Sequence, residues 1–177
     1  LYDDDQAFEE LESVADYFLV HNRQIYAPLD DSVVTVIHNK PRLIRRSRGY
    51  VPEPIHCELS GQSPMLAMGS DLKNAFAMNK GSEVLVGPHI GDLQNASTHA
   101  TLEWTIDRYE ELFSIQPEKI IVDSHPQFFS SHLGERIGKS SQIPVIPVQH
   151  HHAHIASVMA EHNLEGPVLG IAMDGTG

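Results

Sequence analysis

An apolar, proline-punctuated stretch from Ile143 to Val148 runs directly into four histidines within five positions, His150-His151-His152-Ala153-His154. The apolar spacing of Ile155, Val158 and Met159 follows. This order predicts a strand over 145–148 that empties into a helix over 151–162. Residues four apart share a helix face. His150 and His154 therefore present two imidazoles to one side, and His151 and His152 are expected to rotate away. Neutral imidazole is the commonest protein metal ligand, and a pair on one helical turn is half of a metal site. A purification tag would contain no Ala153 and would not merge into an amphipathic pattern.

The strand–helix unit is one of several. Residues 6–21 carry Phe8, Leu11, Val14, Ala15, Phe18 and Leu19 at helical spacing. Val33 to Ile37 is short and β-branched and predicts a strand. A second apolar pair, Leu43-Ile44, leads into Arg45-Arg46-Ser47-Arg48-Gly49. Tyr50 to Ile55 is expected to be extended, because each proline biases its predecessor away from helix. A linker is expected near 52–62. Met65 to Gly69, Asn74 to Met78 and Glu83 to Val86 then read as a β-meander, with Lys80-Gly81 as a turn. Residues 95–114 predict a helix, Lys119 to Val122 a buried strand, 127–138 a helix and Pro167 to Met173 a final strand. Strands followed by alternating strand and helix units define an α/β fold.

The final strand would deliver Asp174-Gly175-Thr176-Gly177. Ligands of open α/β sheets sit at the carboxyl ends of strands. Glycines there let backbone N–H groups approach an anion, so Gly175, Thr176 and Gly177 are candidate cofactor-binding residues. A strand–helix–strand return would bring Asp174 beside His150 and His154. Two imidazoles and one carboxylate with open positions suit Fe(II) or Zn(II) that still accepts substrate oxygens. The Arg45 to Arg48 cluster matches phosphate or carboxylate geometry. Asp71-Leu72-Lys73-Asn74 and His89-Ile90-Gly91-Asp92-Leu93 read as polar turns. Asp123-Ser124-His125-Pro126 holds three triad residue types, but adjacency in sequence is not a catalytic triad.

The chain carries 12 Lys and Arg against 24 Asp and Glu, a formal net charge of −12. That sign disfavours non-specific binding to nucleic acid or to an anionic membrane. Cys57 is the single cysteine, so neither a disulfide framework nor a cysteine zinc cage can form within these 177 residues. No apolar run approaches the roughly 20 residues that span a bilayer, and no signal peptide is visible. The first residue is Leu1 and the last three are Gly175-Thr176-Gly177. The expectation is a piece of a larger protein.

Taken in order, several blocks resemble the HypF family, the carbamoyltransferases that mature [NiFe]-hydrogenases. They are His21-Asn22-Arg23, Asp30-Asp31-Ser32-Val33-Val34, Arg45-Arg46-Ser47-Arg48-Gly49-Tyr50, Leu72-Lys73-Asn74, His89-Ile90-Gly91-Asp92-Leu93, Val148-Gln149-His150-His151-His152-Ala153-His154 and Asp174-Gly175-Thr176-Gly177. The resemblance implies that residues 1–55 end a YrdC-like α/β domain and that 56–62 link it onward. Residues 63–177 would then open a Kae-like domain of the actin/Hsp70 type. It implies that His150, His154 and Asp174 are metal ligands, with a further carboxylate outside this chain. Ser32, Arg46 and Arg48 would border the nucleotide site of the YrdC-like domain. Pro28 and Thr35 stand where the family often has Arg or another polar residue, so no anion contact is carried over to them. The implied chemistry converts carbamoyl phosphate and ATP to carbamoyl adenylate. It then passes the carbamoyl group to the C-terminal cysteine of HypE, for the cyanide ligands of the hydrogenase. Cysteine zinc fingers would lie upstream, and the location would be cytoplasmic.

Two other readings stand beside this one. An O-carbamoyltransferase or tRNA threonylcarbamoyl-transferase relative would share the metal site and change the acceptor. The Arg-Arg-Ser-Arg-Gly segment ahead of the meander favours the hydrogenase branch, and the acidic charge disfavours tRNA. The isolated 177 residues would be an inactive metal-binding scaffold, because half a cleft cannot preorganise a reaction.

Overall fold

The computed structural model describes residues 3–23, 25–58 and 63–175. Its elements are α1 (Asp4–Leu11), β1 (Val33–Ile37), β2 (Lys40–Arg45), β3 (Ile55–His56), β4 (Met65–Ala67), β5 (Ala77–Lys80), β6 (Glu83–Val86), α2 (Ala96–Phe113), β7 (Lys119–Asp123), α3 (Phe129–Ser141), β8 (Val145–Val148) and α4 (His150–Glu161). β1 and β2 form a separate antiparallel hairpin. Its turn residues His38 and Asn39 both hold positive φ, which matches the right-handed twist of the strands they join. The other six strands form one sheet in the order β3-β6-β5-β4-β7-β8. Pairing is antiparallel from β3 to β4 and parallel for β4-β7-β8.

The core follows from the alternation along these strands. Leu66, Met78, Leu85, Ile120 and Val122 are buried from the sheet, and Leu102, Ile106, Tyr109 and Leu133 are buried from α2 and α3. α3 lies tight on the sheet because Gly134 and Gly138 carry no Cβ. A Cβ at Gly134 would stand 2.6 Å from Val122 Cγ1, and one at Gly138 would run into Val145 Cγ2. The helix has no side-chain cap of its own. Asp71 serves instead, its carboxylate accepting from the Phe129 and Ser130 N–H groups at 2.7 and 2.9 Å. Two orphan donors and the positive end of the helix dipole are satisfied by one side chain from 58 residues upstream. Asp71→Ala is expected to cost about 1–2 kcal/mol, read as a lower urea midpoint. An unchanged midpoint would show that water replaces the carboxylate without loss.

Several elements differ from the sequence expectation. α1 stops at Leu11 rather than running to residue 21. Val14 and Leu19 of the expected apolar face are exposed, and the chain turns back so that Phe18 packs edge-on against Phe8 at 5.0 Å. Without a core to cover that face, helical spacing alone does not sustain a helix. β5 begins at Ala77, three residues beyond the expected start at Asn74. The Asn74 amide is occupied in donating to the Met68 and Ser70 carbonyls. The strand runs on to Lys80, where Gly81, at φ +63, makes the turn with Ser82. Residues 49–52 form a turn, not an extended segment, with Tyr50 and Val51 both donating to the Ser47 carbonyl. Ile55–His56, within the expected linker, pair with β6 and add an edge strand to the large sheet. Residues 59–62 of that linker lie outside the described residues.

The expected final strand over 167–173 has no ladder partner among the described residues. Leu169 and Met173 are exposed. The segment crosses α4 instead, where a Cβ on Gly170 would lie 2.5 Å from the Ile155 side chain. No helix among the described residues is long and apolar enough to cross a membrane.

Candidate metal centre

The carboxyl ends of the parallel strands β7 and β8 lie side by side, with Asp123 opposite Val148. Each strand hands the chain to a helix at that edge, which is where open sheets place ligands. β8 ends at Val148, Gln149 caps α4 by accepting from the His152 N–H, and His150 opens the helix. One turn later comes His154, so the i, i+4 geometry holds. Their Nε2 atoms are 3.2 Å apart. Asp174 arrives from the unpaired segment over α4, and its Oδ2 lies 3.3 Å from His150 Nε2 and 3.6 Å from His154 Nε2.

These three distances describe one face of a small polyhedron. Ligand atoms about 2.0–2.1 Å from a tetrahedral zinc stand about 3.3–3.4 Å apart. His150, His154 and Asp174 therefore fit a single divalent ion by donor type and by spacing, and they are the cluster of metal-ligating groups found among the described residues. The structure brings together the three residues that the sequence reading named. The route differs from the expected one, since Asp174 reaches the site without a strand beneath it.

Two neighbours escaped the sequence reading. His151 does not rotate away: its Nε2 is 3.0 Å from Asp174 Oδ1. That hydrogen bond is the main cause holding the Asp174 carboxyl below the ordinary carboxylate range; burial, next in size, opposes it, and the charges of His151, His150 and His154 each add a smaller lowering. Asp123 Oδ2 is 2.7 Å from His150 Nδ1. An aspartate ending a buried strand at the sheet's ligand edge was the available signal, but its partner lies 27 residues away in sequence. His152 points elsewhere, lining a separate hollow with Ile155 and Met159.

A cleft of about 460 Å³ opens beside the histidines, lined by Gly69, Ser70, Ala75, Asp123, His150 and His154 among others. Gly69 at its wall has φ +72, and a Cβ there would sit 2.5 Å from the Ala75 carbonyl oxygen. Only glycine fits that turn.

The remaining sequence candidates are placed as follows. Ser32 Oγ donates to the Arg48 carbonyl and accepts from the Ser47 N–H. Arg46 donates to the Glu53 carbonyl at 2.7 Å and the Val86 carbonyl at 3.5 Å. Arg48 donates to the Leu29 carbonyl and pairs with Asp31. All three bind their own backbone surroundings, away from any contact with the histidine cluster. Gly175 follows Asp174 in a bend with open space around its Cα. Thr176 and Gly177 lie outside the described residues.

The comparison with known proteins agrees with the motif order. Residues 60–161 match the family described as the HypF Kae1-like domain. The chain is 44% identical over 176 residues to the carbamoyltransferase HypF of Synechocystis sp., covering 99% of this chain and 22% of that protein. It is 40% identical over 177 residues to carbamoyltransferase HypF2 of Cupriavidus necator, covering 98% and 22%. Among solved structures, full-length HypF in a phosphate- and nucleotide-bound form superposes with a TM-score of 0.90 at 44% identity, over 99% of this chain and 27% of that one. T. kodakarensis HypF superposes with a TM-score of 0.89 at 40% identity, over 99% and 23%. The chain thus spans about a fifth of the length of the curated relatives. Matched by the family model over residues 60–161 and by relatives along nearly all of its own length, the chain belongs to the HypF carbamoyltransferase family.

Proposed function

We propose that this chain supplies the metal-binding edge of the carbamoyl-transfer site in a HypF-type carbamoyltransferase. The observation that carries the reading is the convergence of His150, His154 and Asp174 within 3.2–3.6 Å of one another at the carboxyl ends of parallel strands. Fe or Zn is the ion this donor set suits. Bound there, it would neutralise phosphate oxygens and polarise the leaving adenylate. Two imidazoles and one carboxylate fix the ion's position, and the cleft walled by Gly69 and Ser70 offers room for a phosphorylated ligand beside it. The relative solved with phosphate and nucleotide supports a nucleotide as the ligand class.

On this reading residues 1–55 end a YrdC-like domain and 63–177 begin the Kae-like one. ATP and carbamoyl phosphate are the substrates, and the acceptor is the C-terminal cysteine of HypE in the cytoplasm. The test uses the whole enzyme with carbamoyl phosphate and ATP. Carbamoyl-phosphate-dependent ATP–pyrophosphate exchange is expected, together with a carbamoyl mass increment on the HypE C-terminal peptide. Exchange without that increment would overturn the acceptor. The 177-residue chain alone is expected to show no exchange. Exchange by the chain alone would mean that the adenylating site is contained within it.

A further inference from the structure

We propose that Asp123 is the positioning residue of this centre, holding His150 in the tautomer whose Nε2 lone pair faces His154 and Asp174. This rests on the metal-site reading above. A carboxylate can only accept, so at 2.7 Å the His150 Nδ1 must carry the hydrogen it donates to Asp123 Oδ2. A neutral imidazole with its hydrogen on Nδ1 has its lone pair on Nε2, the atom 3.2 Å from His154 Nε2 and 3.3 Å from Asp174 Oδ2. Outer partners of this kind set the tautomer and ring orientation of ligating histidines.

Asp123 is built to orient and not to ligate. Its second oxygen, Oδ1, accepts from the His125 N–H at 2.9 Å, so both oxygens are committed. The side chain is 10% exposed. Its backbone is pinned on both sides: the Asp123 carbonyl accepts from Ser131 Oγ at 2.8 Å, and the adjacent Ser124 N–H donates to the Val148 carbonyl at 3.0 Å. The carboxylate ends β7 and the histidine opens α4 two residues beyond β8, so the register of these two parallel strands sets their separation before any ion arrives. The same edge of the sheet carries the ligand and the group that aims it.

The isosteric change Asp123→Asn tests this sharply. The His125 N–H holds the amide oxygen, so the amide nitrogen turns toward His150 Nδ1. Nδ1 must then accept, and the hydrogen moves to Nε2, where it blocks ligation. In the metal-free chain, 15N histidine NMR is expected to report the Nδ1–H form of His150 in the wild type and the Nε2–H form in Asp123→Asn. In chelator competition with Zn2+, the variant is expected to bind roughly 10–100-fold more weakly. Asp123→Ala is expected to lose affinity too, with a mixture of tautomers. Circular dichroism melting of the Asn variant separates this from unfolding. An Asn variant that keeps the Nδ1–H form, or that stays folded and binds Zn2+ as tightly as the wild type, would overturn the role of Asp123 alone. A wild-type chain that takes up no Zn2+ would overturn the metal reading and this inference with it.

Discussion

Replacing His154 by Ala is expected to weaken Zn2+ binding by two to three decades and to leave the metal-free fold intact. The magnitude follows from apportioning a whole site. Structural zinc centres with four protein ligands are worth about 10–16 kcal/mol in apparent binding, or about 2.5–4 kcal/mol per ligand, and each 1.4 kcal/mol is tenfold. His154 suits this test better than His150. Its side chain is about half exposed, and its ring contacts are to the other members of the centre. Removing it opens no buried cavity and strands no buried partner, whereas His150→Ala would leave the largely covered Asp123 Oδ2 without its donor. His152→Ala is the internal control. It removes an imidazole from the same helix but from outside the converging set, so Zn2+ affinity is expected to stay at the wild-type value. Equal affinity in His154→Ala and wild type would remove the ion from this site. Equal losses in His154→Ala and His152→Ala would mean that the run of histidines binds metal loosely, without the Asp174 geometry. In the complete enzyme the same His154→Ala change is expected to abolish carbamoyl transfer, measured by mass increment on the acceptor.

What was legible in the chain was local. The strand at 145–148 and the helix after it could be read because apolar run, boundary and period follow one another without interruption. α2 was legible from the helical spacing of Leu102, Ile106, Tyr109, Leu112 and Phe113; the first three are buried along with Thr105, whereas Leu112 is exposed. The pairing of His150 with His154 needed only the pitch of a helix. The parts that resisted are those decided by a partner elsewhere. Residues 167–173 have the composition of a strand, but composition does not say whether a neighbour's backbone is available, and here α4 and not the sheet receives them. The acidic N-terminal helix is shorter than its period because nothing covers Val14 and Leu19. His151 departs from the face rule because a single carboxylate 23 residues later draws its ring. Asp123 was visible as a polar strand end, yet its meaning depends on register between β7 and β8, which no local pattern encodes. Arg46 and Arg48 look like an anion site in sequence, and in the fold their forks reach backbone carbonyls.

The largest loss of stability is expected from Phe76→Ala, about 3–5 kcal/mol. Phe76 is fully buried just before β5, and its carbonyl extends the ladder by accepting from the Gly87 N–H at 2.8 Å. The ring lies over the Gly87 backbone so closely that a Cβ on Gly87 would come within 2.5 Å of it. On another side it meets Tyr109 of α2 edge-on at 5.1 Å. One side chain therefore joins the antiparallel half of the sheet to the long helix, and the gap left by Ala has a rigid backbone on one wall and a rigid ring on another. Such a cavity closes poorly, which places the cost toward the upper part of the range. Against a typical domain stability of about 5–15 kcal/mol, the variant should unfold at a much lower urea concentration. The slope of the transition is expected to stay the same, because the folded surface is unchanged. A cost near that of an exposed substitution would show that α2 and the meander collapse onto the gap. A reduced slope would show instead that the meander has separated from α2 in the native state. That second outcome would also loosen the Gly69–Ala75 wall of the cleft, which the same meander holds beside the histidines.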